Sequence, residues 1–112
     1  MHMLKTPSGK LAERILTDVA YEHRIEGFRL RERAGILPAT LYSFGEIVGF
    51  LSDSFPRIDF QELTIWIRDI IEDPELADEI ERLVAANGSD LEKTKQIRDL
   101  MGLRIIQCKK IA

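Results

Sequence analysis

The chain has 112 residues, of which 45% are hydrophobic and 31% charged, and a net charge of −3. This length is typical of one domain, and the hydrophobic content excludes an intrinsically disordered chain. The apolar runs are too short to cross a membrane, and the first residues lack the apolar segment of a secretory signal. With one cysteine, Cys108, no internal disulfide can form. We therefore expect a cytoplasmic protein with no membrane partner.

Charge is unevenly distributed along the chain. Residues 46–84 carry three Lys or Arg against eleven Asp or Glu, whereas residues 1–45 and 85–112 are weakly basic. A strongly acidic segment is unsuited to contact with a phosphate backbone, where each contact needs a cation. A solvated outer surface is the common explanation for such a segment.

The spacing of apolar residues predicts an all-α fold, a compact bundle-like array of five to six short helices. Residues 1–9 are expected to form a flexible arm, residues 10–102 a single helical domain, and residues 103–112 a C-terminal tail. Gly35 and Gly102 are predicted to end helices. The predicted helices span residues 10–26, 28–35, 43–52, 59–72, 74–87 and 90–101.

Several of these helices have recognisable first residues. A Ser or Asp followed three residues later by Glu is a capping box, and Asp before Pro is a further start signal. Such pairs occur at Ser43 and Glu46, Asp59 and Glu62, Asp73 and Pro74, and Ser89 and Glu92. The apolar stripes of the helices supply the predicted core: Leu11, Ile15, Val19, Phe44, Ile47, Phe60, Leu63, Ile67, Ile70, Leu76, Ile80, Leu83, Leu91 and Leu100.

The tail after Gly102 has four large aliphatic residues, Leu103, Ile105, Ile106 and Ile111. It is consistent with a short strand, a frayed helix or a docking arm. So much apolar surface is costly to leave in water, so we expect these four residues to form an interaction surface. The tail would dock on the body of its own chain, on a second copy of the chain, or on the sheet edge of another protein.

No combination of residues in the sequence predicts catalysis or metal binding. Two histidines and one cysteine are too few for a closed zinc site, and the phosphate-binding glycine motifs are absent. Capping and solvation explain the carboxylates of Asp69, Glu72 and Asp73. We therefore expect no catalytic, cofactor or metal site.

One segment, Leu30 to Phe44, contains Ala34-Gly35-Ile36-Leu37-Pro38-Ala39-Thr40-Leu41-Tyr42. It resembles the helix-turn-helix core of tetracycline-repressor-type regulators. The resemblance implies a turn at Gly35 and a recognition helix in the DNA major groove. The residues that would then contact DNA are Pro38, Ala39, Thr40 and Tyr42.

A second resemblance covers more of the chain. The order of Leu30, Leu41-Tyr42, Asp59-Phe60, Trp66-Ile67 and Glu75-Leu76-Ala77 is similar to an uncharacterised family of small helical prokaryotic domains. This resemblance implies a helical fold, and it implies no activity because the function of that family is unknown.

The well-capped helices and the lack of assembled catalytic groups favour a non-catalytic interaction or regulatory module. Its expected partner is a second copy of the chain or another protein. The alternative is a DNA-binding transcriptional regulator with a helix-turn-helix near residues 28–51. A nucleic-acid partner is not favoured, because the acidic segment follows this motif directly.

Overall fold

The computed structural model describes residues 4–31, 33, 35–53 and 55–111. Within these ranges it combines five α-helices with a three-stranded antiparallel sheet, so the all-α prediction is wrong. The sheet has the strand order β2-β1-β3. The helices are α1 (Gly9–Ile15), α2 (Phe44–Leu51), α3 (Phe60–Ile65), α4 (Pro74–Ala85) and α5 (Asp90–Ile111), and the strands are β1 (Ile25–Arg31), β2 (Gly35–Leu41) and β3 (Pro56–Arg57).

A β-hairpin replaces the predicted helix over residues 28–35 and the linker after it. Strands β1 and β2 pair along their full length, with Phe28 opposite Pro38 and Leu30 opposite Ile36. Phe28 and Leu30 are two residues apart, which is the period of a strand face rather than of a helix. Gly35 has a φ of +73°, so it begins β2 in a conformation that glycine adopts without strain.

The hairpin lies close to helix α2 at one glycine. A Cβ atom on Gly27 would lie 2.8 Å from the Arg57 carbonyl oxygen and 2.9 Å from the Phe50 ring. The absence of a side chain at Gly27 therefore permits this close approach between β1, β3 and α2.

The first helix is also shorter than predicted. It ends at Ile15 instead of continuing to residue 26, and a 3₁₀ turn follows at Tyr21–His23. The Val19 N–H donates to the Tyr42 carbonyl oxygen at 2.6 Å, which fixes the connecting segment beside the base of the hairpin. β-Branched and aromatic residues are weak helix formers, so this tertiary contact outweighs the helical spacing.

The predicted helix over residues 59–72 exists, but its pitch changes. Residues Trp66–Ile71 form a π-helix after α3, and it ends at Glu72, whose φ is 64°. The Asp73 N–H then donates to the Ile67 carbonyl oxygen at 3.0 Å. The wider turn leaves Trp66 buried, with its indole N–H donating to the His23 carbonyl oxygen at 2.6 Å.

Helix α5 runs from Asp90 to Ile111 and passes through Gly102, so the predicted helix end at this glycine is wrong. The described part of the tail is the C-terminal half of α5. Of the three conformations that the sequence allowed for it, the structure has the helical one. Helices α1, α2 and α4 all contact α5.

The predicted helix starts are confirmed. Each capping side chain accepts a backbone N–H three residues later, at 3.0 Å from Glu46 to Ser43, 3.0 Å from Glu62 to Asp59, 3.2 Å from Leu76 to Asp73 and 3.1 Å from Glu92 to Ser89. The Glu46 carboxylate reaches back to the Tyr42 N–H at 2.8 Å. The four capping contacts satisfy N–H groups that a helix leaves unpaired in its first turn.

The predicted core is largely confirmed. The prediction is wrong for Leu91, which is 50% exposed. Five further residues are partly buried against the core: Val19, Phe60, Ile70, Leu83 and Leu100. Leu4 is buried in the core although it was expected to lie in a flexible arm; residues 1–3 of that arm lie outside the described ranges. The predicted core residues that belong to the buried core are Leu11, Ile15, Phe44, Ile47, Leu63, Ile67, Leu76 and Ile80.

We predict that Gly102→Ala stabilises the protein. Alanine exceeds glycine in helix propensity by about 0.5–1 kcal/mol, and a Cβ on Gly102 would meet no atom within 4 Å. The free energy of unfolding from urea titration is therefore expected to rise by about this amount. A decrease would indicate a left-handed residue at the end of a shorter helix, and would contradict a continuous α5.

Candidate functional site

The outer face of the β1–β2 hairpin is a surface of exposed apolar side chains. Residues directly opposite each other in an antiparallel pair point to the same side of the sheet. The register therefore places Phe28, Leu30, Ile36 and Pro38 together on one face. All four are exposed, and Ile36 is 65% exposed. We call these four residues the hairpin patch.

The opposite face of the hairpin attaches it to the body. Ile25 and Leu41, an opposite pair at its base, are both buried in the core. Arg29 also lies on this inner face, with its Nε 2.5 Å from an Asp53 oxygen and its guanidinium 4.9 Å from the centre of the Phe50 ring. The inner face is therefore buried at its base, whereas Leu37, opposite Arg29, is 39% exposed. The outer face is exposed although its side chains are mainly apolar, unlike a sheet with a polar outer side.

The free edge of β2 is poorly suited to pairing with another strand. The Leu30 N–H donates to the Phe55 carbonyl oxygen, which shows that the even-numbered residues of β1 turn their backbone groups towards β3. The β2 residues opposite these even-numbered positions turn their backbone groups away from β1, towards the free edge. Pro38, which is opposite Phe28, is one of them. Proline has no N–H to donate, so the middle of the free edge lacks a donor.

Two arginines lie around the hairpin patch. Arg57 of β3 is opposite Phe28 and shares its face, and Arg33 lies in the loop that joins the two strands. Both side chains are exposed. The surface therefore has an apolar centre with cationic groups at its margin. Phe55, whose carbonyl oxygen accepts the Leu30 N–H at 3.3 Å, is also 65% exposed.

The groups with potential chemistry lie elsewhere. Cys108 is buried, and this burial raises the pKa of its thiol, so the thiolate is disfavoured at neutral pH. His23 is exposed beside a cleft of about 420 Å³ whose wall includes Trp66. Among the described residues, no three His, Cys, Asp or Glu side chains are grouped so that they could hold a metal ion.

A buried charged network connects the N-terminal segment, the start of α4 and the middle of α5. The Arg104 side chain is 2% exposed and forms a bidentate ion pair with Asp73, at 2.8 Å from Nε and 2.9 Å from Nη2. Nη2 also contacts Glu75 at 3.0 Å. Nη1 donates to the Lys5 carbonyl oxygen at 2.6 Å and to Gln107 at 2.9 Å.

This network is structural. Arginine has five N–H donors, and five contacts account for them, so no donor remains for a ligand. Gln107 extends the network by donating to the Leu4 carbonyl oxygen at 3.0 Å. Burial lowers the pKa of Arg104, but the Asp73 and Glu75 carboxylates more than offset this effect and raise it overall, so the guanidinium stays charged.

The interaction residues predicted in the tail do not form one surface. Leu103 and Ile106 are exposed on α5, at 41% and 53%, and Ile111 is exposed at its end. Ile105 is partly buried against the core. The structure therefore separates Ile105 from the other three.

The four residues predicted to contact DNA do not lie on a helix. Pro38, Ala39 and Thr40 lie in β2, and Tyr42 follows its end, with its ring 6.5 Å from that of Tyr21. The helical conformation that the resemblance implied for these residues is wrong.

Sequence reasoning missed both the hairpin patch and Arg104. The patch was hidden because its residues were assigned to a helix and a linker. Arg104 had a readable signal: Ile97, Met101, Arg104 and Cys108 share one helical face when α5 continues past Gly102.

Comparison with known proteins adds no relative. No protein-family model, no curated protein and no solved structure matches the chain. Both resemblances therefore stay predictions. Among the described residues, no helix is both long enough and apolar enough to cross a membrane.

We predict that Arg104→Ala lowers the free energy of unfolding by about 3–5 kcal/mol, because the buried Asp73 carboxylate loses its charge partner. Arg98→Ala is the matched control on the same helix. Its ion pair with Asp99 is partly exposed, so its loss should cost about 1 kcal/mol or less. Equal effects of the two substitutions in urea titration would contradict the assigned role of Arg104.

The contribution of Glu75 to stability should depend on pH. Burial opposes its ionisation, but the Lys5 N–H and the Arg104 guanidinium outweigh burial and hold its pKa below the usual 4.5. A lowered folded-state pKa gives stability that is fully present above the unfolded pKa and lost as the pH falls through the folded pKa. The difference in unfolding free energy between wild type and Glu75→Gln should therefore be constant near neutral pH and shrink below about pH 4. A difference that stays unchanged between pH 7 and pH 3 would refute this account.

Proposed function

We propose that this protein is a non-catalytic protein-interaction module, and that its docking surface is the hairpin patch. The observation that carries the proposal is a sheet face on which four neighbouring apolar residues are exposed, with Phe28 at 37%, Leu30 at 38% and Ile36 at 65%. Fully burying a large apolar side chain is worth about 1.5–3 kcal/mol, so a partner that covers this face gains the fraction of this value that corresponds to the area still exposed at each residue. Aromatic and aliphatic side chains of this kind form the centres of protein interfaces.

The surroundings of the patch indicate the chemistry of the partner. Arg33 and Arg57 lie at its margin, and ion pairs at an interface margin speed and orient association. The matching partner surface is apolar at its centre and carries Asp or Glu at its rim. An acidic amphipathic segment of another protein has this composition.

Docking on the face is favoured over addition of a strand to the edge. Strand addition needs a continuous row of backbone donors and acceptors. Pro38 interrupts that row in the middle of β2. The partner therefore covers side chains rather than extending the sheet.

We place this module in the cytoplasm. The support is the single cysteine, because Cys108 has no cysteine in its own sequence with which to form a disulfide, and its thiol is buried and reduced.

The proposal is tested by site-specific photo-crosslinking in the cells that make the protein. A benzophenone side chain at Phe28 or Ile36 should give a discrete protein adduct. The same group at Ile111, an exposed aliphatic position at the far end of α5, is the matched control and should not give it. Arg57→Glu should weaken the adduct, since it removes a cation that faces the acidic rim.

Each contrary result is decisive. Adducts with nucleic acid or lipid alone would replace the protein partner with another class of partner. Equal labelling at Ile111, or no adduct from the hairpin, would overturn the proposal. Ile36→Asp should still fold, with a free energy of unfolding within about 0.5 kcal/mol of wild type, because this position is largely exposed.

A further inference from the structure

Helix α5 has a second line of residues on the side that faces away from the core. Asp99, Leu103, Ile106 and Lys110 follow one another at intervals of four, three and four residues and are all exposed. This spacing is that of the contact line in a two-helix coiled coil. We call these four residues the α5 seam.

We propose that a second copy of this chain docks along the α5 seam, with the two α5 helices antiparallel and related by a two-fold axis. A two-fold interface must be self-complementary, because the same surface is used by both copies. The sequence of the seam meets this requirement. Its order is acid, aliphatic, aliphatic, base.

The axis passes between Arg104 and Ile105, at the middle of the seam. Each Leu103 then faces the partner's Ile106, so four aliphatic side chains meet at the centre. Each Asp99 faces the partner's Lys110, which places an ion pair at both ends. A parallel arrangement would instead set Asp99 against Asp99 and Lys110 against Lys110.

Asp99 retains the capacity for this contact. Within the described part of the chain, Asp99 accepts two hydrogen bonds from Arg98 on the same helix, both at its Oδ1 atom. Oδ2 is left for the approaching lysine, and the Asp99 side chain is 71% exposed.

The local shape admits a close neighbour. Gly102 lies beside the seam, and a Cβ there would meet no atom within 4 Å, so another backbone can approach. On the flank towards α4, a groove of about 670 Å³ has Leu83, Leu100 and Leu103 in its wall. It offers further apolar surface to a second helix.

Exposed apolar area favours the dimer, but the aliphatic centre is only two residues long on each copy. Interfaces of this size are weak, so the dimer is populated at high protein concentration. Its formation is independent of the hairpin patch, because no hairpin residue takes part in the seam.

Sedimentation equilibrium of the full chain over a concentration series tests the inference. Wild type should show a reversible monomer–dimer equilibrium, and Leu103→Lys should weaken it about tenfold or more by removing the centre of the seam. Leu91→Lys is the matched control: it makes the same change at an exposed leucine of α5 that is off the seam. It should leave the dissociation constant unchanged.

Charge reversal tests the antiparallel orientation. Asp99→Lys alone and Lys110→Glu alone should each weaken the dimer, since each sets like charges against one another at both ends. The double variant should restore the wild-type dissociation constant, a rescue that a general loss of stability would not produce. A monomer at every concentration, a dimer that Leu103→Lys leaves intact, or a double variant without rescue would each overturn the inference, and none of these results bears on the hairpin proposal.

Discussion

The buried ion pair between Arg104 and Asp73 is the contact on which the arrangement of the helices depends. Arg104 belongs to the middle of α5, and Asp73 begins α4 by accepting the Leu76 N–H, so one guanidinium holds two helices in register. The same side chain binds the Lys5 carbonyl oxygen and thereby brings Leu4 into the core. A buried charge is tolerated here because every donor of the arginine is satisfied. Because all of its donors are paired, the buried Arg104 guanidinium has no part in the proposed function.

The features that the sequence predicted correctly are those set by a few neighbouring residues. Ser43, Asp59, Asp73 and Ser89 each begin a helix because a short polar side chain pairs with an N–H three residues later, whatever the rest of the chain does. The hairpin could not be read in this way. Its strands are set by Gly27 fitting against Phe50 and Arg57, a contact between distant segments, while Phe28 and Leu30 have locally plausible helical neighbours. The prediction of a helix end at Gly102 was wrong for a related reason. Packing against α1, α2 and α4 stabilises α5 across a glycine that would weaken an isolated helix.

The candidate site was harder to predict than the core, and the reason is physical. Core residues are recognised in the sequence because they are apolar. The residues of the hairpin patch are apolar too, so the sequence does not distinguish them from the core. Whether Ile36 lies inside or outside depends on the register of β1 against β2, which the sequence alone does not fix. Once the register is known, the alternation places Ile25 and Leu41 in the core, and Phe28 and Ile36 in solvent. The functional interpretation thus depends on the pairing of two strands.

The contacts of Arg104 with the N-terminal segment have a consequence for the order of events during synthesis. Arg104 and Lys5 are separated by 99 positions, and Gln107 and Leu4 by 103. On the ribosome, which emits the chain from its N-terminus, the hairpin and α2 are complete long before Arg104 emerges. The hydrogen bonds of Lys5 and Leu4 with α5 therefore cannot form until this helix has been made. The hydrogen bonds that hold the first described residues are thus among the last native contacts that can form during synthesis.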